Sequence, residues 1–142
     1  TAQDLGIQLL LFPVRSTEEN ASTALKMIAR NMDGLIVGGD SLVWSGLDYY
    51  IAQAIREKIL FGAFDIDHVK RGALIGFGPD YTATGEQSAM IAYQVFQGKN
   101  PRDIPVQIPR KLLMSINLET AQKIGVVVPP ELLKEADILI QP

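Results

Sequence analysis

Residues 35–40, LIVGGD, and residues 59–65, ILFGAFD, are two short apolar runs that each end in an aspartate, with one helical segment between them. A continuous apolar run of this length is typical of a strand buried on both faces, as in a parallel sheet. A strand–helix–strand connection of this kind is right-handed and leaves the two strands parallel. We therefore expect Asp40 and Asp65 at the carboxyl edge of one sheet, where open α/β folds bind ligands.

The composition is that of one ordinary globular domain. The chain has 142 residues, of which 47% are hydrophobic and 20% charged, and such values are typical of soluble folded proteins. The net charge of −3 comes without a basic stripe, which argues against nucleic acid as a partner. No apolar run approaches the roughly 20 residues that a membrane helix requires.

Two residue counts restrict the chemistry. The sequence contains no cysteine, which excludes disulfides, thiolate zinc sites and cysteine nucleophiles. His68 is the single histidine, so a histidine-rich metal site is impossible and a histidine-based triad is disfavoured. We expect His68 at the solvent or at a helix end.

Apolar patterning along the chain alternates between short runs and segments of helical period. The predicted extended segments are 7–14, 35–37, 59–64, 73–77, 106–108 and 112–116. The predicted helices are 16–32, with a capping box of Ser16 and Glu19 and an inner face that includes Ala29, then 45–58, 82–97, 117–124 and a last turn from Pro130. This alternation predicts an α/β domain with a mainly parallel sheet flanked by helices.

The acidic residues after the predicted strands allow several roles. Asp40 follows two glycines, so it could approach a ligand, or Asp40 or Ser41 could cap the next turn. Asp65 and Asp67 could hold a magnesium ion, cap a short turn, or bind a ligand amine. Trp44 could stack on a ligand or fill the space between a helix and the sheet. No dinucleotide fingerprint, P-loop or nucleophile elbow is present.

Five segments together resemble one known family. They are residues 65–74 (DIDHVKRGAL), 78–81 (GPDY), 98–107 (GKNPRDIPVQ), 116–125 (INLETAQKIG) and 129–137 (PPELLKEAD). They are similar to the patterns D-x-D-x-V-x-x-G-A-L, G-x-D-Y, G-x-x-P-x-D-I-P-V, I-N-L-x-T-A-x-x-x-G and P-P-x-L-L-x-x-A-D. These patterns are typical of the ABC-transporter substrate-binding protein family that includes tryptophan and tyrosine binders.

The resemblance implies a periplasmic-binding-protein fold of type I, in which two lobes hold a ligand in the cleft between them. It covers the C-terminal half of the family's length, so we expect residues 1–142 to form the second, Rossmann-like lobe of a longer protein. The opening residues 1–6 read as the last turn of a helix closed by Gly6. Residues 81–105 would then be a helix and crossover segment that belong to the absent first lobe.

The resemblance also implies a set of ligand-binding residues. Asp65 matches the family's cleft aspartate and would pair with a ligand ammonium, while Asp40 would accept from it or from a second donor. Ser41, Phe64 and Tyr81 would line the cleft. The family's T-D-N is read here as Gly39-Asp40-Ser41, and its G-S before the cleft aspartate is read as Ala63-Phe64. No catalytic residue, metal ligand or cofactor is expected.

Three functions remain open from the sequence. The leading hypothesis is the solute-binding component of an ABC importer. It would be periplasmic, or extracellular and membrane-anchored, and would deliver an amino acid or related amine to a membrane permease. The alternative is a small magnesium-dependent, phosphatase-like enzyme that uses Asp40, Asp65 and Asp67. The third is a sensory binding module of a signalling protein.

A further expectation concerns the helix predicted at 82–97. If this helix packs on the first lobe, its apolar side chains are uncovered in this chain alone, and exposed apolar surface of that kind tends to find a partner. The side chains concerned are Ala89, Ala92, Val95 and Phe96. We therefore expect this chain to self-associate through the helix, or to dock the helix elsewhere on its own surface.

Overall fold

The computed structural model describes residues 1–28 and 30–142 and contains one five-stranded sheet in the order β1-β2-β3-β4-β5. The strands are β1 (Gly34–Ile36), β2 (Leu60–Ala63), β3 (Ile75–Pro79), β4 (Leu112–Asn117) and β5 (Ile138–Ile140). The first three strands are parallel, whereas β4 runs antiparallel to β3 and parallel to β5. The predicted α/β class with a mainly parallel sheet is confirmed.

Helices connect these strands. They are α1 (Glu19–Ile28), α2 (Ser41–Trp44), α3 (Leu47–Glu57), α4 (Ile66–Lys70), α5 (Tyr81–Phe96), α6 (Leu118–Ile124) and α7 (Pro130–Glu135), with 3-10 turns at Gln3–Leu5 and Pro101–Asp103. Local chemistry explains several ends. Asn117 caps α6 by accepting from the amide of Thr120 at 2.8 Å, and Gly125 ends it at φ 75°. None of the described helices has both the length and the hydropathy needed to cross a membrane.

The main core lies between the sheet and α1, α3 and α4. Its larger members are Leu47, Tyr50, Ile51, Phe61 and Val69. A buried polar contact joins three helical segments in this core, because the Asn20 amide nitrogen of α1 donates to the carbonyl of Leu42 in α2 at 3.0 Å. The Tyr50 hydroxyl of α3 donates to the Asn20 amide oxygen at 2.8 Å. Buried polar groups that are satisfied in this way specify one arrangement of the helices.

The opposite face of the sheet is more open. Ile36, Leu60 and Phe77 are 62%, 43% and 54% exposed there. A cavity of about 240 Å³ lies on this face, between β2, β3 and β4 and the segment 126–132. Its lining is almost wholly apolar, with Ile75, Ile116 and Leu132 among its residues.

The prediction of a buried strand at 7–14 is wrong. No strand is assigned to this segment, and Leu9 and Leu11 are 60% and 81% exposed. A strand requires a neighbour for its backbone groups, and within the described residues the segment has none, while β1 pairs with β2 alone. Apolar patterning in the sequence cannot show whether such a neighbour exists.

Smaller differences concern helix starts and the last strand. The first helix begins at Glu19 rather than Ser16, and the Glu19 carboxylate accepts from the amide of Arg15 at 2.9 Å. Ala29, predicted on the inner face, lies outside the described residues. The helix predicted at 45–58 is preceded by the short helix α2, which Ser45 ends, so that α3 begins after Gly46. The segment 106–108 is not a strand. Strand β5 is not among the predicted extended segments.

Candidate functional site

Asp40 and Asp65 stand beyond the carboxyl ends of β1 and β2, which are parallel neighbours with Ile36 opposite Gly62. Each aspartate caps the helix that follows. Asp40 accepts from the amides of Leu42 and Val43 at 2.8 and 3.4 Å, and Asp65 accepts from the amide of Asp67 at 2.7 Å. The predicted placement of these strands and their aspartates is confirmed, and the capping role left open for Asp40 is also present.

A third aspartate, which the sequence reading did not select, follows β3 in the same way. Asp80 caps α5 by accepting from the amides of Thr82 and Ala83 at 3.0 and 3.2 Å. Its carboxylate also pairs with the Lys111 ammonium at 2.8 Å. This hydrogen bond lowers the pKa of Asp80 and raises that of Lys111. A strand, an aspartate and a helix start recur three times, and this repetition was the signal available in the sequence.

Asp65 differs from the other two in its surroundings. It is only 8% exposed, whereas Asp40 is exposed and Asp80 has a lysine partner. Among the ion pairs of residues 1–28 and 30–142, none includes Asp65. A buried carboxylate is costly unless a donor or a cation accompanies it. Asp65 is therefore a buried carboxylate without a cationic partner among the described residues.

Tyr81, the first residue of α5, comes close to Asp65. The pKa of the Tyr81 hydroxyl is raised, chiefly by its hydrogen bond with the Asp65 carboxylate and next by burial. The ring is 55% exposed, and the ring of Phe64, next to Asp65 in sequence, is 44% exposed. Two of the predicted site residues, Asp65 and Tyr81, are therefore brought together at the sheet edge.

Two glycines allow this approach. A Cβ on Gly78 would collide with the carbonyl oxygen of Phe64, and a Cβ on Gly76 would lie 2.6 Å from a methyl of Val69 and 3.1 Å from the Asp65 carbonyl. Only a residue without a side chain lets β3 pass so close to the end of β2. The glycines thus determine how near α5 and Tyr81 lie to Asp65.

Trp44 and His68 lie between the loop that carries Asp40 and the turn that carries Asp65. The indole nitrogen of Trp44 donates to the carbonyl of Gly38 at 2.9 Å, and the two rings meet edge to face with centroids 4.9 Å apart. His68 is 7% exposed, so it does not face solvent, but it lies in the last turn of α4, which confirms the other predicted position, a helix end. Burial lowers its pKa, although the nearby Asp65 charge acts in the opposite direction. A five-residue helix is too short for an apolar period that would mark which of its residues are buried.

The remaining candidates are more peripheral. Ser41 is the exposed first residue of α2. The Asp67 carboxylate, 71% exposed, pairs with the Lys70 ammonium at 2.8 Å, and this hydrogen bond lowers the pKa of Asp67. In the part of the chain that the structure describes, no three His, Cys, Asp or Glu side chains are grouped so that they could hold a metal ion.

Comparison with known proteins gives consistent results. A family model described as "ABC transporter substrate binding protein" matches residues 1–140. A tyrosine-binding protein of Clostridioides difficile (strain R20291) is 30% identical over 105 residues, which are 74% of this chain and 30% of that protein. An uncharacterized protein of Rickettsia prowazekii (strain Madrid E) is 29% identical over 100 residues, or 70% of this chain and 33% of that protein.

A solved structure is also similar over nearly the whole chain. It is described as an ABC domain from Streptococcus pneumonia in complex with L-Trp, and it superimposes with a TM-score of 0.89 at 29% identity. The match covers 98% of this chain and 47% of that structure. The chain therefore spans about a third of the length of the curated relatives and about half of this solved chain.

Proposed function

This chain belongs to the ABC transporter substrate binding protein family, and from that premise we propose that it is the lobe that holds an amino acid through its ammonium group. The ligand lies at the carboxyl edge of β1, β2 and β3, between this lobe and a second one. Asp65 pairs with the ammonium, and Asp40 accepts from the same group or from a second donor. The protein serves a membrane importer and performs no chemical step on its ligand.

The observation that carries this proposal is the state of Asp65. Its carboxylate is 8% exposed and belongs to none of the ion pairs among the described residues. Within the described residues, the Asp67 amide donates to this carboxylate at 2.7 Å, and the Tyr81 hydroxyl lies close enough that Asp65 raises its pKa. A protonated amine brings the charge that the site lacks, and charge-assisted hydrogen bonds are about twice as strong as neutral ones.

The aromatic residues at the same edge support an amino acid with an aromatic side chain. Phe64 precedes Asp65 in the sequence and Tyr81 lies close to it, and the two side chains are 44% and 55% exposed. Aromatic pairs add about 0.5–1.5 kcal/mol beyond the area that they bury. The relatives that are described as binding tyrosine and L-Trp are consistent with this choice. Ser41, exposed at the start of α2, lies at the margin of the proposed site.

We further propose that residues 1–142 form the second lobe and that residues 81–105 pack on the first. Every residue of α5 is at least partly exposed. Three of its hydrophobic side chains, Met90, Tyr93 and Phe96, are 62%, 57% and 86% exposed. A first lobe seated on this face would cover them. Its permease partner and its location, periplasmic or extracellular and membrane-anchored, follow from the importer role.

The geometry gives less support to a magnesium-dependent enzyme. Asp67 would have to turn away from Lys70, with which it forms an ion pair at 2.8 Å. Asp40 and Asp65 each use an oxygen to cap a helix. A phosphatase assay with magnesium, p-nitrophenyl phosphate and the intact protein tests this alternative, because magnesium-dependent turnover that Asp65→Asn abolishes would refute the binding role.

Calorimetric titration of the intact protein with L-tryptophan and L-tyrosine tests the proposal directly. Asparagine caps helices as well as aspartate does, so Asp65→Asn removes the charge and keeps the cap. We expect the binding free energy to fall by about 2–5 kcal/mol, as for a desolvated charge pair that loses one partner.

Asp67→Asn is the matched control, since this exposed residue lies on the same helix and we expect the affinity to stay within a factor of about two, as for a rim charge. Equal affinities of the wild-type protein and Asp65→Asn would refute the assigned role of Asp65. Absence of binding of either amino acid to the wild-type protein would refute the ligand class.

A further inference from the structure

The Trp44 ring is fastened to the backbone immediately before Asp40. Its indole nitrogen donates to the carbonyl of Gly38 at 2.9 Å, and a Cβ on Gly39 would lie 3.9 Å from the indole ring. The ring therefore covers the loop that carries Asp40, because its hydrogen-bond acceptor Gly38 lies six residues before Trp44 in the chain. Any movement of Trp44 would be transmitted to this loop.

The His68 ring is connected to the turn that carries Asp65 through the short helix α4, without a hydrogen bond of its Nδ1 atom among the described residues. His68 lies on α4, for which Asp65 is the cap, and its side chain is 7% exposed. The two rings meet edge to face, with their planes at 67° and their centroids 4.9 Å apart. Edge-to-face contacts of this separation are favourable for aromatic rings.

The two rings join loops whose backbones are only weakly connected. At the ends of β1 and β2 the amide of Val37 donates to the carbonyl of Gly62 at 3.4 Å, which is long for such a bond. Beyond that point the chains enter the loops of Asp40 and Asp65. The contact between the Trp44 and His68 rings is a side-chain link between these two loops.

We propose that Trp44 and His68 are positioning residues that hold the Asp40 loop against the Asp65 turn, so that ligand affinity depends on their mutual contact although neither binds the ligand. This inference rests on the proposed function, since it assigns the two residues to the same site. It also accounts for the burial of the chain's single histidine beside its single tryptophan.

The protonation of His68 is a measurable property that a purely structural packing role would not couple to ligand binding. The Nδ1 atom is buried and has no hydrogen-bond partner within the described residues. The charged groups that act on the ring are Asp65, Asp67 and Arg71. The strands β2, β3 and β4, which pack against α4, carry no charged side chain, and Asp40 is the acidic residue next to α2.

The expected direction follows from this arrangement. Burial, the largest cause, lowers the pKa of His68 below its ordinary 6.5, so the ring is neutral at pH 7. A protonated ring would give Asp65 a positive neighbour that competes with the ligand ammonium. Ligand binding should therefore lower the pKa of His68 further, and by linkage affinity should fall as the pH drops through that value.

The first experiment is a double-mutant cycle on the intact protein, read by calorimetric titration with L-tyrosine. Trp44→Ala and His68→Ala should each weaken binding roughly two- to thirty-fold, the range of coupling carried by residues that do not touch the ligand. The double variant should bind no worse than the weaker single variant, because both remove one contact. Tyr49→Ala, which deletes a ring of α3 that is 53% exposed, is the control.

The second measurement uses the wild-type protein, so it does not depend on whether a variant folds. Trp44 is the only tryptophan, and a protonated imidazole quenches indole emission, so emission of the wild-type protein between about pH 5 and 7 follows His68 directly. We expect a titration with a midpoint below 6.5 that shifts to lower pH when L-tyrosine saturates the protein. A flat emission profile, a midpoint that L-tyrosine leaves in place, or additive losses in the cycle would each overturn the inference.

These results separate the inference from the proposed function. If the wild-type protein binds L-tyrosine and Asp65→Asn loses it, while Trp44→Ala and His68→Ala fold and bind like the wild-type protein, the positioning role alone is refuted. If the wild-type protein binds neither L-tyrosine nor L-tryptophan, the proposed function fails and the positioning role fails with it.

Discussion

Gly78→Ala tests whether the approach of β3 to the end of β2 builds the site. The added Cβ would collide with the carbonyl oxygen of Phe64 and would lie within 3 Å of its carbonyl carbon. Both are backbone atoms, so no change of side-chain rotamer relieves the contact. The strand ends must separate, and overpacking of this kind costs about 1–3 kcal/mol or more. Because Phe64 precedes Asp65, we expect ligand affinity to fall as well.

The same substitution at Gly85 should act in the opposite direction. Gly85 lies within α5, and a Cβ there would meet no atom within 4 Å. Alanine stabilises a helix interior by about 0.5–1 kcal/mol relative to glycine. Urea unfolding of the two variants, with calorimetric titration of the intact protein, measures both effects. A Gly78→Ala variant as stable as the wild-type protein would refute the argument, since it would mean that the backbones do not meet as described.

The remaining predictions concern the core, the third aspartate and the exposed helix. Tyr50→Phe should destabilise the chain by about 1–3 kcal/mol in urea unfolding, because it leaves the buried Asn20 amide oxygen without its donor at 2.8 Å; a change below about 0.5 kcal/mol would contradict this. The hydrogen bond with Lys111 holds the pKa of Asp80 below 3.8. The contribution of this pair to the free energy of unfolding is therefore complete above pH 3.8 and is lost as the pH falls through the lowered pKa. Asp80→Asn, which keeps the cap, should therefore flatten the loss of stability below pH 3.8, and the effect should be small because Lys111 is exposed; an unchanged acid profile would count against the pair. This chain alone should self-associate in sedimentation velocity and bind L-tyrosine weakly, and Phe96→Ser, at a site 86% exposed, should reduce the association; a monomer with micromolar affinity would contradict both expectations.

The sequence predicted those parts of the fold that depend on local chemistry. The caps at Asn117 and Gly125, the proline at the start of α7 and the long helix at 82–97 all follow from the properties of single residues and appear within a residue or two of the expected places. The parallel pairing of β1 and β2 followed from the handedness of one crossover. Each of these features is determined within about 25 residues of chain.

The failures concern features that depend on distant neighbours. The segment 7–14 has the composition of a strand, but a strand forms only where another strand accepts its backbone groups. Residues 138–140, which were not predicted as a strand, form β5 because they lie parallel to β4, with Ile138 opposite Ser115. Both segments are rich in apolar residues, and the presence of a neighbouring strand decided which of them became a strand.

The candidate site shows the same division between local and distant determinants. A strand that ends in an aspartate and is followed by a helix is readable in the sequence, and it occurs with Asp40, Asp65 and Asp80. The three aspartates differ in their surroundings. Asp40 faces solvent, and Asp80 pairs with Lys111, which directly precedes β4. Asp65 is buried beside Tyr81. Lys111 is 31 residues from Asp80 in the sequence, and Tyr81 is 16 from Asp65, so neither pairing is visible in a local pattern. Capping alone would suit all three carboxylates equally, and only the tertiary contacts leave Asp65 as the carboxylate for which a ligand ammonium would complete the charge balance.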